Sequence, residues 1–269
     1  MRIRWLTLTT AALAVLACLS TYRLETSDSF ARPDSTFTSL RLETRNGPIE
    51  VSAGADSTAT VTVRRFAYGR DSAAAATGLA NIIVSDTLAG SVWQVTADVP
   101  PGSRTSGAAI NAVVRPKVPI SVSTVNDDIR VYGLSAKISI DAANCSVTTA
   151  GTEGELSITT SNQKVTVQVH RGQVDVATTN AAVECDLAFV EPSSQNLLST
   201  TAAKITLLLP ADVSATIVAN TTSGDILISG FHVTYDEHTP TRVRARIGSG
   251  AATITLGTTN GDIVIRPRS

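Results

Sequence analysis

Aromatic residues make up 4% of this 269-residue chain, histidine and cysteine occur three times each, and neither charge sign is in excess, with 22 basic against 23 acidic residues. Without a basic run the chain lacks the electrostatic footprint that binding to a phosphate backbone requires, and so few aromatics give little surface for stacking bases. No nucleic-acid partner is implied. A phosphate-cradling Gly-Lys loop and a serine nucleophile elbow are also missing. His170, His232 and His238 show no close metal spacing and read as solvated loop residues. No cofactor follows from any of these residues.

What the chain does have is a period. Asn126, Asn144, Asn162 and Asn180 are each 18 residues apart (144−126, 162−144, 180−162). Around each stands apolar-x-apolar, a turn holding the Asn, then apolar-x-apolar again: Ile120/Val122 with Ile129/Val131, Ile138/Ile140 with Val147/Thr149, Leu156/Ile158 with Val165/Val167, and Val174/Val176 with Val183/Cys185. Alternation at period two marks a strand with one buried face, and a unit this short buries that face only by stacking on copies of itself. The same template fits around Asn46, Ser223 and Asn260, giving seven units with four inward places each, 28 in all, of which only Thr149 is not apolar. The expectation is an all-β fold, a single-stranded parallel β-solenoid with ~18-residue coils. Outward strand places are rich in Ser and Thr, as solvent-facing β-formers should be.

Three segments are expected along the chain. Residues 1–17 read as a signal peptide, with Arg2 and Arg4 ahead of the apolar Leu6 to Ala17, too short to span a bilayer. Val15-Leu16-Ala17-Cys18 resembles the lipobox of bacterial lipoproteins, which implies an acylated Cys18 as the mature N-terminus. By the same resemblance Leu19, not Asp, leans the protein towards the outer membrane. Residues 18–37, rich in Ser, Asp and Thr, read as a flexible tether. The solenoid then fills 38–269, with insertions at about 64–119 and 186–216. Asp71 is placed to cap a short helix over 72–80, and strands are expected at 81–85, 92–97, 109–114 and 205–209. Residues 64–119 and Arg266-Pro267-Arg268 are the candidate caps for the open ends of the stack.

The turns carry a family resemblance. Thr222-Ser223-Gly224-Asp225-Ile226 and Thr259-Asn260-Gly261-Asp262-Ile263, with Asn46-Gly47-Pro48-Ile49, Asn126-Asp127-Asp128-Ile129 and the lead-in Leu207-Leu208-Leu209-Pro210, resemble the bacterial domain of unknown function 4097, provisionally labelled an adhesin. The resemblance implies an envelope-associated β-solenoid and specifies fold better than activity. Asn144, Asn162 and Asn180 depart from it in lacking the following Gly. Gly accepts positive φ and Asn tolerates it, so these residues suit a corner between strands, and stacked Asn side chains would stand ~4.8 Å apart, close enough for an amide ladder.

Two chemical readings of the same residues compete with a structural one. Asp127, Asp128, Asp225 and Asp262 could bind Ca²⁺, but the intervening coils offer Cys145-Ser146, Gln163-Lys164 and Ala181-Ala182 where further oxygen ligands would be needed. A polysaccharide-active β-helix would need clustered carboxylates, and no outward column of the regular coils holds two acids. Cys145 falls in a turn and Cys185 inward two coils later, so stacking separates them by ~10 Å, beyond disulfide reach, and both are expected as free thiols. The sequence thus points to a non-enzymatic, lipid-anchored envelope solenoid whose exposed faces meet an envelope protein or surface glycan. A carbohydrate-binding or polysaccharide-active protein is the alternative.

Overall fold

The computed structural model describes residues 22–268. Its framework is the stack read from the period. Ile120, Ile138, Leu156 and Val174 pair in register along one parallel sheet, and Ile129, Val147, Val165 and Val183 along a second. The two sheets face each other, so the aliphatic places of both strands in each coil meet in one slab. Of the 28 inward places only Ile228, in the short strand Ile226–Ile228 at the end of the stack, is less than buried. Parallel sheets need both faces covered or a polar outer face, and here Ser, Thr and charged residues cover the outside.

Chain order and stacking order differ at both ends. Strand Val92–Asp98 pairs with Ser39–Thr44, which pairs in turn with Ile120–Asn126; on the other sheet Ser106–Val114 pairs with Ile49–Ala53, then Ile129–Tyr132. The coil of residues 39–53 therefore lies between the coil of residues 92–114 and the regular block. At the far end Gln195–Ser199 and Ile205–Leu209 pair with Ala252–Gly257 and Ile263–Pro267, which pair with Ala215–Asn220 and Ile226–Ile228. The last coil in sequence is slotted between two earlier ones. Both expected insertions thus contain coils of their own.

The fold is not a purely parallel solenoid, because its ends are closed by antiparallel strands. Thr58–Gly69 lies antiparallel to Ser106–Val114, and Ile83–Ala89 to Val92–Asp98. At the other end Arg242–Ile247 and then Val233–His238 extend the sheet beyond Ala215–Asn220. Arg266-Pro267-Arg268 is no cap: it ends a strand inside the stack, flanked by Ile205–Leu209 and Ile226–Ile228. The helix forms over Ser72–Ala80 as expected, with the Asp71 carboxylate accepting from the Ala74 N–H at 2.7 Å.

The tether expectation fails over its described part. Tyr22–Pro33 is a strand paired antiparallel with the whole of Thr58–Gly69. Its half-buried side alternates Leu24, Thr26, Asp28, Phe30 and Arg32, and the two charges on that side are neutralised: Asp28 meets Arg65 at 2.9 Å, and Arg32 forks Asp86 at 3.0 and 3.1 Å. Polar inward residues hid a strand that ion pairs complete. The ordered domain begins at Tyr22 or before, not near residue 38. The signal peptide, Cys18 and Leu19 lie outside the described residues.

Candidate functional site

One edge of the stack is the column of turns picked out by sequence. Asn126 donates its amide to Asn46 Oδ1 at 2.7 Å, Asn144 to Asn126 at 3.3 Å, Asn162 to Asn144 at 2.7 Å and Asn180 to Asn162 at 3.0 Å. The ladder is continuous through five coils and ends where the next coil holds Ala202. Beside it runs a second column that sequence reasoning passed over: Thr44, Thr124, Thr160, Thr178, Thr200, Thr258 and Thr221 are all buried. Most donate to a carbonyl of a turn, as Thr124 Oγ1 does to Asn126 at 3.0 Å and Thr200 Oγ1 to Ala181 at 3.0 Å. The signal was in view, since a Thr stands two residues before nearly every Asn place.

At the far end Ser223 and Asn260 are joined by a backbone β-bridge in place of an amide bond, and the Asp225 N–H donates to Asp262 Oδ1 at 3.1 Å. Gly224 has φ +147°, but Gly261 is not left-handed; its reason is close approach, because a Cβ there would stand 2.2 Å from the Ala203 carbonyl oxygen. The positive φ in the Asn126 turn falls instead on Asp127, at 78°. Asp128 is engaged by Arg130 at 2.7 Å and by Ser146. The turn residues are thus occupied in holding coils together, and among the described residues no three His, Cys, Asp or Glu side chains gather as metal ligands.

Cys145 and Cys185 are both free and buried. Where the Thr column holds Ala142, the Cys145 thiol faces the Thr124 carbonyl oxygen at 3.8 Å. Burial pushes the Cys145 thiol up to about 11, with Asp127 and Asp128 adding to the effect, and raises Cys185 further still. Neither thiol is a nucleophile near neutral pH.

The outer face of the second sheet carries a feature that the period concealed. Between the pairs Val167 with Cys185 and His170 with Leu187, two residues, Gln168 and Val169, oppose one, Asp186. This is a β-bulge, a device that re-aims side chains and often borders sites. Val169 adopts φ +55°, a rare conformation for a β-branched residue, and remains 43% exposed. The bulge overhangs an open cleft of about 710 Å³ lined by Val169, Glu184, Asp186, Lys204, Leu208 and Arg266 among others. Its lining mixes apolar and polar side chains, and paired charges flank it: Lys164 Nζ lies 2.7 Å from Glu184, and Arg268 Nε 3.0 Å from Asp186. Such a cleft suits an extended ligand with mixed apolar and polar groups.

His170 fixes the bulge from inside, and here the expectation of a solvated loop histidine is overturned. The alternation slips by one residue at Val169, so that His170 takes an inward place and is fully buried. Its Nε2 donates to the Gln173 carbonyl oxygen at 3.2 Å, which leaves Nδ1 to accept from Thr152 Oγ1 at 2.9 Å. This is the arrangement of the neutral imidazole, the form that burial favours. Burial holds its pKa below the ordinary value, against the opposing influence of Gln173, Gly154, Thr152 and Glu153. With the unfolded histidine at about 6.5, this contribution to stability is complete above that pH and is lost as pH falls below it. Urea unfolding at pH 7.5 and pH 5.0 should therefore show lower stability in acid, with a smaller drop for His170→Gln. His232 and His238 are exposed, and His238 stacks on Tyr235 with ring centroids 4.4 Å apart.

The family model described as Toastrack DUF4097 matches residues 120–266, which span the regular coils and the far end of the stack. No curated protein matches the chain. Among solved structures, one provisionally named a cell adhesion protein from Clostridium sporogenes is 11% identical, with a TM-score of 0.41, covering 91% of this chain and 100% of its own. A provisionally named adhesin from Bacteroides fragilis is 9% identical, with a TM-score of 0.31 and coverage of 89% and 97%. Another from Parabacteroides distasonis is 6% identical, with a TM-score of 0.34 and coverage of 90% and 97%.

Proposed function

The chain belongs to the Toastrack DUF4097 family, and from that premise we propose that it is a non-enzymatic, lipid-anchored protein of the bacterial cell envelope. In this reading it binds an envelope protein or surface glycan in an adhesin-like or scaffolding role, with the outer membrane as its site. The observation that carries the binding role is the cleft under the Val169 bulge, a strained, exposed projection on an otherwise regular sheet. A rigid slab of stacked coils is well suited to present such a surface, because its backbone loses little further entropy on binding. The anchor rests on the lipobox-like end of the signal segment at Cys18. No helix among the described residues is long and apolar enough to cross a membrane.

Metabolic labelling with a palmitate analogue tests the anchor. Label that is sensitive to globomycin and lost in Cys18→Ala is the expected result, and absence of label would remove it. For the cleft, envelope fractions and purified cell-surface polysaccharides should bind the wild-type protein and bind Val169→Asp at least tenfold more weakly. Equal binding by the two would place the interaction elsewhere.

A polysaccharide-active reading has one observation in its favour: Glu184 and Asp186 stand on the same outward face and both line the cleft. Each is already held by a cation, which disfavours a role in proton transfer. Release of new reducing ends from a polysaccharide, lost in Glu184→Gln, would favour this second reading.

A further inference from the structure

The chain enters the described domain at the corner that holds the asparagine ladder. Tyr22 opens the first strand and pairs with Gly69; beside it the Arg23 guanidinium lies 5.6 Å from the Phe66 ring centroid and 5.4 Å from that of Tyr68. Phe66 then lines a second open cleft, of about 580 Å³, together with Arg45, Arg104, Ser103, Asn46 and Asp127. Three carboxylates stand nearby: Glu25 pairs with Arg23, Asp71 lies 3.4 Å from Arg70 while capping the helix, and Asp127 lines the cleft. Arg45 and Arg104 are both exposed and have no ion-pair partner among the described residues. Tyr22, half-exposed, and Arg70, whose side chain is 88% exposed, extend the same basic and aromatic surface.

Only four residue steps (22−18) separate Tyr22 from Cys18. At ~3.6 Å per residue a fully extended link spans about 14 Å. A lipid on Cys18 would consequently hold this corner against the bilayer surface, with no long spacer to lift it away. Arginine side chains at that depth are attracted by anionic headgroups, and Tyr and Phe rings settle at the interface. We propose that the corner of Arg23, Arg45, Phe66, Tyr68 and Arg104 seats on the anionic phospholipid headgroups of the bilayer that carries Cys18, an inference that rests on the lipid anchor proposed above. The orientation follows. The end of the stack formed by residues 22–114 faces the membrane, and the bulge cleft is displaced along the stack away from it.

The test uses residues 19–269, which contain every described element and lack the acylation site, in flotation with vesicles. Binding is expected to vesicles of phosphatidylethanolamine and phosphatidylglycerol at low salt, and not to phosphatidylcholine alone. Arg45→Glu with Arg104→Glu should weaken it at least roughly twentyfold, since each surface charge shifts partitioning by about fivefold. Arg45→Lys with Arg104→Lys should retain it, and unchanged unfolding midpoints will show that all variants fold. Equal binding to neutral and anionic vesicles, or full binding by the Glu variant, would overturn the proposal. So would retention on an acidic polysaccharide without flotation. Because this chain starts after Cys18, flotation reads the corner alone, and its failure is distinct from a failure of palmitate labelling.

Discussion

Gly261→Ala is expected to lower the unfolding midpoint by roughly 6–12 °C, whereas Gly257→Ala, four residues away, should leave it unchanged or slightly raised. A Cβ on Gly261 would stand 2.2 Å from the Ala203 carbonyl oxygen and 2.5 Å from its carbon, which are backbone atoms of the adjacent coil and have no rotamer to retreat into. Two coils would have to separate, breaking parallel hydrogen bonds between Ile205–Leu209 and Ile263–Pro267. A cost of about 3 kcal/mol, the upper end of overpacking, is the natural scale. A Cβ on Gly257 meets nothing within 4 Å. Thermal unfolding of the two variants side by side separates close approach from any general intolerance of alanine; similar midpoints would sink the argument.

The second large effect is expected at Trp93, a fully buried side chain in the coil of residues 92–114. Its ring packs against Phe37 at 5.2 Å between centroids, the Arg32 guanidinium lies 5.7 Å from its centroid, and its Nε1 donates to Asp86 Oδ1. Trp93→Ala should cost about 3–5 kcal/mol, the range for emptying a large aromatic site. Trp93→Phe keeps most of the packing and loses the donor. Arg32 still holds Asp86, so the cost should be nearer 1–2 kcal/mol. Urea unfolding at pH 7.5 gives both numbers, and equal losses in the two variants would show that the hydrogen bond, not the ring, governs this site.

The regular block was legible because every inward place in it except Thr149 is apolar and all share one spacing. The departures were hidden for specific reasons. Asn196 stands nine residues before Ile205, the offset found in every template coil, but it is polar. The structure shows why it is tolerated: its Oδ1 accepts from the Val174 N–H at 3.0 Å and its amide donates to Ser194 at 3.1 Å, so a buried amide takes the place of an aliphatic side chain. Trp93 and Ile110 occupy equivalent inward places, yet their turn is 17 residues long (110−93) and escapes a fixed template. Residues 22–33 read as a spacer in sequence because Asp28 and Arg32 need partners, Arg65 and Asp86, that lie far along the chain.

The candidate site was hidden by the very regularity that revealed the fold. Gly154 and Gly172 pair in register 18 residues apart, so the period passes through the bulge undisturbed. Only the exchange of inward roles between Val169 and His170 marks it. The turn asparagines picked out from the sequence, by contrast, bond mainly to one another, with Asn46 also donating to the Ser103 carbonyl oxygen at 2.7 Å.

Slotting the coil of residues 252–267 between those of residues 195–209 and 215–228 also constrains how the protein is made. A chain emerging from the ribosome or a translocation pore, N-terminus first, can complete the regular coils as they appear. It cannot complete the far end, because residues 215–228 must wait, unstacked, for a neighbour that is synthesised later. Until that neighbour arrives, Ile205–Leu209 presents a bare parallel edge. A message truncated ahead of residue 252 would therefore yield a product with a sound middle and an adhesive, protease-accessible end, a natural point for the cell to distinguish finished copies from unfinished ones.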